Sequence, residues 1–142
     1  MSGITTAKAG FPLGISTNTD NLGEFNANQH PDIVGNPHLS NPTINEWFNT
    51  AAFAQPSGLS FGSGPRYMPN LRAPGIKNWD LGIEKWWHWQ ERLRFQFRAE
   101  FYNAFNNVNF FAPDQHLGDS TFGEINAASR ARDIQLGLKI YW

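Results

Sequence analysis

Three stretches of this chain alternate strictly between apolar and polar side chains. In Leu93-Arg94-Phe95-Gln96-Phe97-Arg98-Ala99-Glu100-Phe101 every odd position is apolar and every even position is charged or an amide. A repeat of two belongs to a strand with one apolar and one polar face; helical spacing would mix the two classes. Just upstream, Trp79, Leu81, Ile83, Trp87 and Trp89 share a face, and Asn78, Asp80, Glu84 and His88 take the other. Lys85 is the one charge on that apolar side. The chain closes on Ile134, Leu136, Leu138, Ile140 and Trp142, alternating with Gln135, Gly137, Lys139 and Tyr141. A weaker candidate near the start holds Gly10, Pro12 and Gly14, residues that weaken a ladder. The pattern predicts strands at about 3–18, 76–89, 92–105 and 132–142, joined into an all-β, antiparallel meander. Between them, 19–75 and 106–131 are rich in Asn, Asp, Gly and Pro without a sustained period, and read as long, irregular loops.

The short connection after Trp89 limits the register. Facing residues on paired strands must share a face. A three-residue turn, Gln90 to Arg92, pairs Trp89 with Leu93 and Glu84 with Arg98. A register shifted by two sets Glu84 against Arg94 and Asp80 against Arg98. Both bring acids opposite arginines on the polar face.

Strand length then separates two architectures. These strands run to about 11–14 residues, whereas soluble strands cluster near 5–6 and a tilted membrane-spanning strand needs roughly 9–11. Long loops alternating with a short turn are the rule in outer-membrane barrels, which have short periplasmic turns and longer extracellular loops. Aromatics gather at the strand ends: Trp86, Trp87 and Trp89 by the short turn, Tyr141 and Trp142 at the close. Such rings favour the membrane–water interface and are expected to anchor there, Trp86, Trp87, Trp89 and Tyr141 in particular. The polar side would line a wet lumen with Asp80, Glu84, Arg94, Arg98 and Glu100. Lys85 on the lipid side would cost about 2–4 kcal/mol at the bilayer midplane but about 0–1 near the interface, toward which it can snorkel.

Composition agrees. Only 16% of the 142 residues are charged while 15% are aromatic, yet the mean hydropathy is polar at −0.48. That combination suits apolar–polar alternation. No run approaches the ~20 apolar residues of a membrane helix. A net charge of −1 gives no electrostatic footprint for nucleic acid. The absence of cysteine removes thiol chemistry and disulfides. Met1-Ser2-Gly3-Ile4-Thr5-Thr6 is not a secretory leader, which an outer-membrane protein requires, so the chain is expected to be the C-terminal part of something longer.

Three runs carry a family resemblance: Trp47-Phe48-Asn49-Thr50-Ala51-Ala52-Phe53, Phe95-Gln96-Phe97-Arg98-Ala99-Glu100-Phe101-Tyr102-Asn103-Ala104-Phe105-Asn106, and Ile134-Gln135-Leu136-Gly137-Leu138-Lys139-Ile140-Tyr141-Trp142. Together they resemble the C-terminal β-barrel region of Oar-like TonB-dependent receptors of Gram-negative outer membranes, over about Ile4 to Trp142. The resemblance implies the last strands of a 22-stranded barrel taking up an unknown substrate. It implies as partners the rest of the barrel, a plug, the lipid bilayer, the barrel-assembly machinery and, through the plug, the TonB complex. Ile134, Leu136, Leu138, Ile140 and Trp142 would then form the assembly signal, with Trp at a final position where Phe is commoner. No plug or TonB-contacting segment is recognised, so the chain by itself is not expected to transport.

Other candidates have plainer readings. Asp20, His30, Asp32 and His38 lack a recognised metal-ligand spacing and read as a solvated loop. Glu84 and His88 share a face but lie ~13 Å apart at ~3.3 Å per residue, too far for a catalytic pair. The stretch Gly58 to Gly64 lacks the Lys-Ser/Thr of a phosphate-binding loop. Asn41-Pro42-Thr43 is barred from glycosylation by its proline. The Trp group could stack on carbohydrate, and Arg92, Arg94 and Arg98 could meet an anionic solute, but anchoring and charge pairing explain both. No catalytic residue, metal or cofactor is expected. Two alternatives remain: a soluble β-sandwich carbohydrate-binding module, in which Phe95, Phe97 and Phe101 pack on a second sheet, and a self-assembling β-structural protein.

Overall fold

A computed structural model describes residues 1–23, 29–89 and 92–142. Its strands are β1 (Ser2–Lys8), β2 (Ser16–Thr17), β3 (Asp32–Ile33), β4 (Phe53–Ala54), β5 (Ile76–Trp89), β6 (Leu93–Tyr102), β7 (His116–Leu117) and β8 (Asp133–Tyr141). A 3₁₀ turn spans Thr50–Ala52, and no α-helix occurs among the described residues. The fold is all-β. It divides into two units: Met1–Ala9 with Gly75–Asn109 and Ser129–Trp142, and Gly10–Pro74 with Phe110–Ala128.

The first unit is a single four-stranded sheet in the order β1-β5-β6-β8, antiparallel throughout. β5 and β6 pair with Trp89 opposite Leu93 and Glu84 opposite Arg98, the register of a three-residue connection. The register shifted by two does not form. Two of the predicted turn residues, Gln90 and Glu91, lie outside the described residues. On the far side of β6, Phe97 faces Leu138, Ala99 faces Leu136 and Phe101 faces Ile134, so apolar positions meet along every row. β1 and β8 are the sheet's edges.

The strands end where backbone chemistry changes. β6 stops at Tyr102, short of the expected 105, because Asn103 takes a left-handed φ of 51°. Asn tolerates that region better than most residues. The Asn103 N–H donates to Asp80 Oδ1 at 2.9 Å, and its side chain closes a ring with Asn107, donating to Asn107 O and accepting from Asn107 N–H, both at 2.9 Å. Asn106, at φ 54°, accepts from the Arg132 N–H at 3.0 Å, and Asn109 Oδ1 accepts from the Lys77 N–H at 2.7 Å. Four asparagines therefore close one end of the sheet.

The second unit corrects the expectation of long irregular loops. β1 ends at Lys8 instead of running to 18, and Gly10 begins a different body. A Cβ at Gly10 would stand 1.6 Å from the Ala73 carbonyl oxygen, so only glycine fits that approach. The chain from Phe11 to Thr17 is extended but bonds elsewhere: Leu13 N–H donates to Leu71 O at 2.9 Å, and β2 runs parallel to β7. β3 and β4 form a second small pair. The core holds Leu13, Ile15, Phe48, Ala52, Phe53, Met68, Leu71 and Ala73. Phe48 is fully buried and meets Phe53 and Phe122 edge-to-face, with ring centroids at 5.6 and 5.2 Å. Such contacts add about 0.5–1.5 kcal/mol each beyond area burial. Asn49 caps the 3₁₀ turn by accepting from the Ala51 N–H at 3.2 Å. The run Trp47 to Phe53 is thus the centre of this unit.

Candidate functional site

The four-stranded sheet has two unlike faces, each positioned by the registers just given. One face carries Trp79, Leu81, Ile83, Lys85, Trp87 and Trp89 on β5, then Leu93, Phe95, Phe97, Ala99 and Phe101, then Ile134, Leu136, Leu138 and Ile140. The outer members are left open: Ile83, Trp87, Leu136 and Leu138 are 42, 48, 68 and 64% exposed. A sandwich requires a second sheet over such a face, but the two other sheets have two strands each and belong to the second unit. An open apolar surface of this extent calls for a non-aqueous neighbour.

Its dimensions fit a bilayer. Trp79 and Trp89 lie ten positions apart on β5. At ~3.3 Å per residue and a tilt of ~40°, that is about 25 Å, the height of the apolar band of outer-membrane barrels. Ile83, Ala99 and Leu136 form one of the two rows nearest the middle, and Lys85, Phe97 and Leu138 form the other.

The opposite face carries the predicted lumen residues. Glu84 stands across from Arg98, Gly82 from Glu100, and Trp86 from Gln96. Their bonds differ from a simple acid–arginine ladder. Arg98 forms its ion pair with Glu100, two residues along its own strand. Glu84 accepts from Gln96 Nε2 at 2.9 Å and from the indole of Trp86. Asp80 is committed to the asparagine-closed end, accepting from the Asn103 N–H and from Asn78 Nδ2, both at 2.9 Å. Arg94 lies over the Tyr141 ring, 5.7 Å from its centroid. Exposed pairs like these contribute little to stability; they keep charge in a wet environment.

The register also divides the four aromatics expected at the interface. Trp87 and Trp89 stand on the apolar face. Trp86 and Tyr141 stand on the polar one, where their rings stack at 5.6 Å and 27°. Consecutive strand residues point to opposite faces, so the adjacent tryptophans 86 and 87 cannot share one. Ile134, Leu136, Leu138 and Ile140 line one face of the edge strand β8, all of whose residues are exposed, and Trp142 follows it.

The hollow beside Gly82, about 290 Å³ and open to solvent, is bordered by Ser2, Glu84, Arg98 and Glu100. It suits the wall of a wider space more than a site for a small ligand. No group of three or more metal-binding side chains occurs among the described residues. In the second unit Asp20 accepts from Gln29 Nε2 at 2.7 Å, Asp32 from the Ser63 N–H at 2.9 Å, and His30 Nδ1 donates to Ile15 O at 3.2 Å. Gly58, at φ 63°, bends the chain at the start of the Gly58–Gly64 stretch. Sequence reasoning missed Asn103, Asn106, Asn107 and Asn109; the density of Asn just past an alternating strand was the available signal.

A family model described as an outer membrane beta barrel domain matches residues 1–135. No curated protein and no solved structure matches the chain.

Proposed function

The chain belongs to the outer-membrane β-barrel domain family, and from that premise we propose that its sheet is the closing stretch of a TonB-dependent, Oar-like receptor barrel that takes up a substrate across the outer membrane. The observation that carries this reading is the two-faced sheet: an open apolar face of bilayer height backed by a polar face bearing Glu84, Arg94, Arg98 and Glu100. The three quoted runs supply the likeness to the receptor type.

Geometry adds support. Lys8, Ile76, Tyr102 and Asp133 all lie at one end of the sheet, and the long insertions leave from that end. The short connection lies at the other end. In an outer-membrane barrel long connections belong to the extracellular side and short ones to the periplasmic side. β1 and β8 each keep an unpaired edge, which hydrocarbon does not tolerate, so strands of the same barrel must pair with both. The exposed alternation of β8 is suited to recognition by the barrel-assembly machinery.

Affinity capture tests the receptor reading. Detergent-solubilised barrel containing this chain should be retained on the immobilised periplasmic domain of TonB. A well-folded barrel that passes through unretained would refute TonB-dependent uptake and leave a barrel of another kind.

A further inference from the structure

Lys85 is the one cation between Trp79 and Trp89 on the apolar face. Across the ladder it faces Phe97, and beyond that Leu138. No Asp or Glu occupies that face among the described residues: Asp80, Glu84, Glu100 and Asp133 all alternate to the polar side. A charge held against hydrocarbon needs an anion, and the described residues of this sheet supply none there.

We propose that Lys85, framed by Trp87 and Trp89, is a docking site for the phosphate of a membrane phospholipid in the periplasmic leaflet. This rests on the barrel reading. The leaflet follows from the short β5–β6 connection, because short turns face the periplasm. Lys85 lies two positions from Trp87 and four from Trp89, which is about 5–10 Å along the membrane normal at ~3.3 Å per residue and ~40° tilt. A lysine stem lies along apolar surface while its ammonium climbs to the level of the interface. Trp87 and Trp89 are half-exposed, and indoles at that level present a ring to acyl chains and an N–H to headgroups. The apolar surroundings select a lipid over free phosphate, which would remain in water.

Native mass spectrometry of the complete barrel, titrated with phosphatidylglycerol, tests the site. Lys85→Leu should weaken retention of the tightest-bound lipid about fivefold, the scale of one cation meeting an anionic membrane surface. Lys85→Arg should restore it, and Lys139→Leu, on the polar face, should leave it unchanged. Equal retention by wild type and Lys85→Leu would overturn the site, as would an equal loss with Lys139→Leu. A parallel measurement keeps the premise separate. Brominated phospholipid should quench the fluorescence contributed by Trp87, measured as the difference from Trp87→Phe. No such quenching would overturn the lipid-facing reading itself; quenching without a Lys85 effect would overturn only the headgroup site.

Discussion

Replacing Leu136 with arginine distinguishes a lipid-facing sheet from a water-facing one, because the two environments predict opposite results at the same atom. Leu136 is 68% exposed on the edge strand and stands in the row of Ile83 and Ala99, one of the two nearest the middle of the apolar band. In water, such a surface substitution stays within about ±0.5 kcal/mol. In a bilayer, arginine at that depth of a barrel costs about 2–4 kcal/mol. Since each 1.4 kcal/mol is tenfold, the folding equilibrium constant falls about 30- to 700-fold. The control is Gln135→Arg, one residue away on the polar face and opposite Glu100. It should change stability by less than about 0.5 kcal/mol. The assay is urea-dependent folding of the complete barrel into phospholipid vesicles, followed by heat-modifiable migration. A midpoint for Leu136→Arg equal to that of Gln135→Arg would refute the face assignment.

Three further outcomes follow from the packing. A Glu84→Cys/Arg98→Cys pair should form a cross-strand disulfide readily, while Glu84→Cys/Arg94→Cys should not, as read by electrophoresis with and without reductant; the reverse would reject the register. Phe48→Ala should cost the second unit about 3–5 kcal/mol, so limited proteolysis should cut within 10–74 while the heat-modifiable barrel band persists. Asn103→Ala removes the ring with Asn107 and puts alanine at φ 51°, a loss of about 1–3 kcal/mol, seen as faster amide exchange at Ala104 and Asn107.

The sheet was legible because alternation is a local signal. Leu93 to Phe101 and Ile134 to Trp142 declare their faces residue by residue, and face-matching narrowed Glu84 to Arg98 or Arg94 as its partner. The second unit was not legible, because its core is assembled from Leu13, Phe48, Met68 and Phe122, apolar residues with no shared period. Only the fold brings such residues together. The aromatics at 86 and 141 lie near the same strand end as Trp87 and Trp89 but stand on the other face: nearness to a strand end sets depth, whereas parity sets the face. The asparagines after Tyr102 read as loop composition, yet they form the hydrogen-bonded closure of the sheet, and the Asn103 N–H bonds Asp80, which only the register shifted by two would have set against Arg98.

The most direct test is a cysteine scan along Ile134 to Tyr141. The chain has no cysteine of its own, so within it each introduced thiol reports alone, read against the same barrel without the introduced thiol. With the complete barrel in vesicles, a small charged thiol reagent should label positions 135, 137, 139 and 141 and spare 134, 136, 138 and 140. Uniform labelling, or labelling of the even set, would contradict a sheet with one face in lipid and the other in an aqueous lumen.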